Sequence, residues 1–121
     1  MLRALILSML LATAADAAEL PLKPGTYVLK GQPCADPALA AVFQYDGREF
    51  SYPHASHCRS AILSHSGRRY RLRETCSALG DGAPAAPVTT VSSYTVVSAA
   101  EVRVSGENGR APSSYRWRPA P

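Results

Sequence analysis

The length and charge of the chain already limit its class. Its 121 residues carry 13 Lys and Arg against 9 Asp and Glu, which gives a net charge of +4. A chain of this size forms one domain with a modest core. So mild a positive charge does not predict a nucleic-acid-binding protein.

The chain begins with the pattern of a secretory signal peptide. Arg3 gives a basic start, residues 4–12 are almost entirely apolar, and Ala15 and Ala17 place small side chains before a cleavage point. The apolar run is too short to anchor the chain in a bilayer. We therefore expect cleavage after Ala17.

This cleavage defines a signal peptide over residues 1–17 and a single domain over residues 18–121. No second long apolar run follows, so we expect no transmembrane segment in the mature protein. The abundance of Ala and Arg is typical of a GC-rich bacterial genome. The expected location is therefore the periplasm or the medium.

Short β-prone runs separated by Gly, Pro, Ser and Asp predict an all-β domain, either a small barrel or a sandwich. Residues 26–30 form the first predicted strand. Residues 32–37 contain two prolines and predict a loop, and residues 38–41 predict a brief helical turn.

Asp46-Gly47 lies between two alternating runs, AVFQY and REFSY, and predicts a type I′ hairpin with a two-residue loop. This turn pairs Tyr45 with Arg48. It also places Phe43 opposite Phe50 and makes one face of the hairpin aromatic.

Export into an oxidising compartment makes one disulfide and one leftover thiol the default for three cysteines. If Cys58 lies directly opposite Cys76, Gly67 becomes the centre of a three-residue loop, where a positive φ is needed. This register separates a hydrophobic face from an arginine-rich one. It also points Glu74 inward, opposite Ser60.

The opposite face of this hairpin would carry a row of guanidinium groups. In this register Arg59 pairs with Thr75, and the other cross-strand pairs of this face follow. They are Ala61 with Arg73, Leu63 with Arg71 and His65 with Arg69. We call Arg59, Arg69, Arg71 and Arg73 the arginine face. It predicts either a docking surface for an anionic partner or a solvated face that prevents edge-to-edge pairing.

The last third of the chain predicts a loop over residues 78–87 and a strand over residues 89–97. A turn at residues 98–100 places Val96 opposite Val102 and Tyr94 opposite Val104. Residues 107–110 predict a hairpin turn and residues 114–118 a final strand. The whole predicts an antiparallel meander of about seven or eight strands.

His54 and His57, next to Cys58, are candidate metal ligands, with His65 as a third imidazole. The alternative is solvent-exposed loop histidines, because Cys58 has a structural partner in Cys76. The sequence contains no recognisable catalytic motif, so we expect neither an enzyme nor a bound cofactor.

The spacing of Gly25, Tyr27, the three cysteines, Gly67, Tyr70, Tyr115 and Trp117 resembles small exported β-rich proteins of proteobacteria that carry no assigned function. That resemblance implies a further Cys near the C-terminus to partner Cys34. Here Trp117-Arg118 stands in that region, which leaves Cys34 without a partner. A looser resemblance is to periplasmic lysozyme-inhibitor and protease-inhibitor barrels.

These observations predict an exported, non-catalytic binding protein that recognises another protein or an anionic polysaccharide or lipid headgroup. The alternatives are a small-ligand carrier, with an apolar cavity lined by Phe43, Phe50, Tyr94 and Trp117, and a periplasmic metal-binding protein. The predicted core contains seven aromatic side chains. They are Tyr27, Phe43, Phe50, Tyr70, Tyr94, Tyr115 and Trp117.

Overall fold

A computed structural model describes residues 19–35, 37–106 and 111–119. The predicted signal peptide and the predicted turn at residues 107–110 lie outside the described residues. Within the described part, the chain forms strands and one short 3₁₀ helix, Leu39–Ala41, at the predicted helical turn. The strands are β1 (Gly25–Leu29), β2 (Val42–Tyr45), β3 (Phe50–Ser51), β4 (Ala55–Ser66), β5 (Arg69–Leu79), β6 (Pro84–Ser98), β7 (Glu101–Gly106) and β8 (Ser113–Arg118).

The eight strands form one antiparallel sheet in the order β3-β2-β1-β8-β7-β6-β5-β4. Strands that are neighbours in the chain therefore pair with each other, except β3 and β4, and β1 pairs with β8. The sheet curls into a nearly closed barrel, which decides between the barrel and the sandwich. The break lies between β3 and β4. There the Glu49 side chain accepts a hydrogen bond from the backbone N–H of Ser60 at 3.1 Å.

The first hairpin differs from its predicted register by two residues. Tyr45 pairs with Phe50 rather than with Arg48. Asp46 causes the longer loop, because its Oδ1 accepts hydrogen bonds from the N–H groups of Arg48 and Glu49 at 2.8 and 2.7 Å. A shift of two residues preserves the faces, and Phe43 still contacts Phe50 edge to face, with ring centroids 5.6 Å apart.

The second hairpin has the predicted disulfide. Cys58 lies opposite Cys76, with an S–S distance of 2.09 Å, and the predicted register holds as far as the pair of Ile62 and Leu72. A β-bulge at Leu63 then shifts the pairing by one residue. The loop is therefore two residues long, not three, and contains Gly67 with a φ of 57°.

Beyond this bulge, the predicted pairs of the second hairpin are wrong. Ser64, not Leu63, pairs with Arg71, and Tyr70 pairs with His65. The bulge supplies an extra residue in β4, so the side chains that follow it change faces. As a result, the ring of His65 stacks on Tyr70 with centroids 4.0 Å apart.

β6 begins earlier than predicted, because residues 84–87 are part of the strand and not of a loop. Two prolines are tolerated there because the first half of β6 pairs with β5 alone in the described residues. The pairing of β6 with β7 begins only at Ser92. The predicted pairs Val96–Val102 and Tyr94–Val104 are confirmed.

One part of the barrel interior is filled by close-packed side chains. Phe50 packs between Tyr45 and Tyr94, with ring centroids 4.7 and 5.2 Å away. The segment before β1 covers this part with Leu20 and Leu22, and the hydroxyl of Tyr45 accepts the N–H of Leu20 at 2.9 Å. We call this region the filled part. Its buried members include Tyr27, Tyr45, Phe50, Leu72, Val96 and Val102.

Candidate functional site

The other part of the barrel interior contains a cavity of about 380 Å³ that is partly open to solvent. We call this region the hollow part. Its volume lies within the range of cavities that hold small molecules in proteins, about 300–1,000 Å³. The lining residues are Phe43, Tyr52, His54, Ala55, Glu74, Cys76, Ala78, Leu79, Ala85, Ala86, Val88, Thr90, Ser92, Tyr94, Val104 and Tyr115.

Small side chains create the hollow part. Along β6, alternate residues point inward, and those next to the cavity are Val88, Thr90 and Ser92. The next inward residue, Tyr94, is large and buried, and it forms the boundary with the filled part. An eight-stranded barrel is just wide enough for its side chains to fill it, so a run of small inward residues leaves space for a ligand.

Glu74 is the one carboxyl group among the described residues that line the cavity. β5 turns its side chain inward, and it is 6% exposed. Its Oε2 accepts a hydrogen bond from Ser60 Oγ at 3.3 Å, and the hydroxyl of Tyr52 also donates to it. The hydroxyl oxygen of Tyr52 is in turn 3.4 Å from the hydroxyl oxygen of Tyr94.

Burial raises the pKa of Glu74 above its usual value, and the nearby carboxyl of Glu49 acts in the same direction. The hydrogen bonds from Tyr52 and Ser60 oppose this shift. Burial also raises the pKa of Tyr52 and Tyr94, and the negative charge of Glu74 adds to the effect. A carboxyl and two phenols thus form a buried polar cluster. It can donate and accept hydrogen bonds, and it can carry one negative charge on the carboxyl group.

The disulfide lies beside this cluster. Cys76 Sγ is 3.8 Å from Glu74 Oε1. Among the described residues, Cys58, Glu74 and Cys76 are the one group of three potential metal-ligating side chains within 4.8 Å of one another. Because both sulfur atoms are bonded to each other, they are not available as thiolate ligands.

The three histidines lie in different settings. His54 is exposed at the edge of the cavity, with its ring 5.5 Å from that of Tyr52. His57 is exposed in β4, and His65 hydrogen-bonds the carbonyl oxygen of Gly67 through Nε2 at 2.7 Å. The structure does not gather them into a group of three close ligands in the described part of the chain.

The four members of the arginine face are all exposed on the outer wall of the barrel. The register adds one residue that the sequence interpretation missed. Arg69 pairs with Thr95, and Thr95 pairs with Arg103 of β7, so Arg103 lies on the same face. Only the pairing across three strands reveals this neighbour, because 34 positions separate the two arginines in the chain.

The predicted core aromatics divide between the two parts of the barrel. Phe43, Tyr94 and Tyr115 line the cavity, whereas Tyr27 and Phe50 are buried outside it. Tyr70 is half-buried against the core.

Trp117 is half-buried and packs against the core, but it does not line the cavity. Its Nε1 donates to the carbonyl oxygen of Pro24 at 3.1 Å, and the ammonium of Lys23 lies 4.2 Å from the ring centroid. The cavity lining predicted for a carrier is therefore wrong for Phe50 and Trp117 and omits Tyr52 and Tyr115.

Cys34 is exposed and is not part of the disulfide. It lies in the predicted loop before the 3₁₀ helix, where the guanidinium of Arg118 donates to its carbonyl oxygen. This contact ties the loop to β8.

Comparisons with family models, with curated proteins and with solved structures find no match to this chain. The described part of the chain contains no helix with the length and apolar character needed to cross a membrane. The function must therefore be inferred from the geometry of the site itself.

Proposed function

We propose that this protein is a non-catalytic binding protein whose barrel holds one small, largely apolar molecule. The observation that carries this proposal is the 380 Å³ cavity beside a fully packed core. Its walls are mainly aromatic and aliphatic, and a few polar groups converge on one side. This is the usual composition of a small-molecule site.

Binding to an apolar fluorescent probe tests this proposal. N-phenyl-1-naphthylamine is neutral at pH 7, and we expect it to bind saturably to the native protein. Ser92→Phe should fill the cavity and weaken binding at least about tenfold, because Ser92 points inward. The matched control is Ser93→Phe, since Ser93 lies between Arg71 and Ser105 on the outer face.

If the native protein shows no saturable binding, or if both phenylalanine variants lose the same affinity, the cavity is not the binding site. Circular dichroism of both variants establishes that they are folded.

We further propose that the protein acts outside the cytoplasm, in the periplasm or the medium. The Cys58–Cys76 disulfide supports this location, as does the signal-like pattern of residues 1–17. Native mass spectrometry of the protein secreted by its own leader tests both proposals. The covalent mass should correspond to cleavage after Ala17, and any excess mass of the native species measures the bound molecule.

The arginine face supports a second function, the recognition of an anionic partner. The specific observation is the position of Arg103. It lies across β6 from Arg69 and adds a fifth arginine to the four predicted on this face. Replacing Arg69, Arg71 and Arg73 by Ser should abolish capture by a sulfated polysaccharide resin at low salt. Capture that survives this triple change would rule out the arginine face.

A further inference from the structure

The polar side of the cavity has a charge pattern that selects among small molecules. Glu74 contributes a carboxyl group, and none of the described lining residues is Lys or Arg. A second carboxyl, that of Glu49, lies behind it on the other side of Ser60. Ser60 donates its N–H to Glu49 and its hydroxyl to Glu74.

We propose that the ligand of this cavity is an organic cation, an ammonium group on an aromatic or apolar body, and that Glu74 binds the ammonium. This inference rests on the proposed function, because it assigns the chemistry of the molecule held in the barrel. A buried carboxylate without a basic partner is costly. An ammonium guest supplies the missing opposite charge.

The hydrogen bonds around Glu74 favour a cation over a neutral guest. Ser60 and Tyr52 both donate to the carboxyl group, so the protein presents donors that suit a charged acceptor. A further positive donor completes this arrangement without displacing either hydroxyl. Carboxylate hydrogen bonds to a charged donor are also the stronger kind.

The aromatic walls are suited to the same guest. Phe43, Tyr52, Tyr94 and Tyr115 line the same cavity as Glu74. Aromatic faces attract cations through the ring quadrupole, most strongly where water is excluded. An anionic guest would instead meet the carboxyl group of Glu74, with no Lys or Arg among the described lining residues to offset it.

Three probes of one shape test the inference by isothermal titration calorimetry at pH 7. They are 2-naphthylmethylamine, which is a cation at this pH, 2-naphthylmethanol, which is neutral, and 2-naphthoate, which is an anion. We expect the amine to bind at least about tenfold more tightly than the alcohol, and the carboxylate to bind most weakly.

Glu74→Gln removes the charge and keeps an acceptor for Ser60 and Tyr52. We expect this variant to reduce the preference for the amine over the alcohol to about twofold or less, with the affinity for the alcohol retained. The matched control is Glu101→Gln. Glu101 Oε1 lies 3.8 Å from Lys30 Nζ and 3.8 Å from Arg116 Nε, and Glu101 is not part of the cavity lining. The preference for the amine over the alcohol should therefore be unchanged in this variant.

The outcomes separate the inference from the proposed function. If no probe binds, the proposed function fails. If the alcohol binds as tightly as the amine, or if Glu74→Gln keeps the preference, the cavity still holds a ligand but the cation inference is overturned. A tighter complex with 2-naphthoate overturns it as well.

A measurement on the unmutated protein covers the case in which Glu74→Gln does not fold. The carboxyl carbon resonance of Glu74 should move towards the ionised position when the amine is added, but not when the alcohol is added. If the Glu74 resonance does not shift when the amine binds, the inference is overturned.

Discussion

The filled and hollow parts of the barrel share strands, yet their interiors differ in kind. β6 passes through both, with Thr90 and Ser92 at the cavity and Tyr94 and Val96 in the core. β5 does the same, since Leu72 is buried in the core while Ala78 lines the cavity. The cavity therefore comes from the size of the inward side chains, because the alternation of the strands is the same on both sides of Tyr94.

Under the proposed function, the two parts have separate tasks. Close packing of large aromatic rings stabilises the fold, whereas the hollow part gives up that packing and gains room for a guest. It also holds Glu74, a buried ionisable group that a core selected for stability alone would omit.

The largest effect is expected from removing a ring in the filled part. Phe50 is 1% exposed, and Phe50→Ala should lower the free energy of unfolding by about 3–5 kcal/mol. Thr90→Ala in the hollow part should change it by about 0.5 kcal/mol or less, because it removes few contacts. Urea denaturation followed by circular dichroism measures both. Equal losses would mean that the interior around Thr90 is packed and not open.

The disulfide should contribute the next largest effect, and it belongs to the hollow part. The bridge closes a sequence separation of 18 residues. The chain-entropy model therefore predicts a loss of about 3 kcal/mol for the double change Cys58→Ala and Cys76→Ala. Because Cys76 lines the cavity, binding of the neutral probe should weaken too.

Cys34→Ala is the control for the disulfide experiment, since Cys34 is exposed and outside the bridge. Its unfolding midpoint should match that of the unmutated protein. If the double variant keeps the full stability and the full probe affinity, the bridge does not shape the wall of the hollow part.

A smaller effect should appear in the dependence of stability on pH. The pKa of Glu74 is raised on folding, mainly by burial, so the folded state holds its proton more tightly than the unfolded state. The stabilisation from this proton is fully present below the unfolded pKa. It is lost as pH rises through the folded pKa.

Glu74→Gln should therefore raise the melting temperature more at pH 8 than at pH 4, as measured by thermal denaturation in buffers of equal ionic strength. Glu49, whose pKa is also raised by burial, keeps part of the slope in the variant. Asp46 contributes the opposite slope at lower pH, because hydrogen bonds from backbone N–H groups lower its pKa. A variant with the same pH profile as the unmutated protein would show that Glu74 ionises as freely when folded as when unfolded.

The sequence predicted the all-β antiparallel meander and the disulfide because both depend on local signals, but it left the choice between barrel and sandwich open. The alternation of side chains and the turn residues define each hairpin, and two cysteines with a glycine between them define a register. The same signals did not predict the correct loop lengths where a single residue changes the length of a hairpin loop. Asp46 captures two N–H groups and lengthens the first hairpin, and the bulge at Leu63 shortens the second loop.

The sequence predicted only part of the candidate site. The predicted register of Cys58 and Cys76 already pointed Glu74 inward opposite Ser60, and the structure confirms that pair. The sequence could not show that the small residues of β6 line the same cavity as Tyr52 and Tyr115, because these residues lie far apart in the chain. Phe50 and Trp117 were assigned to the cavity for the same reason, since aromatic character alone does not tell a packed ring from a lining one.

The smallest effect concerns the backbone of β4 beside the disulfide, which borders the hollow part. His57, next to Cys58, has a φ of 50°, the one positive value among the described non-glycine residues. This conformation costs an L-residue about 1–2 kcal/mol, whereas glycine adopts it freely and loses up to about 1 kcal/mol through its more flexible unfolded chain. His57→Gly should thus stabilise the protein by roughly 1 kcal/mol or less in urea denaturation. His54→Gly, at a histidine without a positive φ, should destabilise it. If both glycine variants lose stability, the left-handed residue carries no strain, and the backbone bordering the hollow part is as relaxed as that of the filled part.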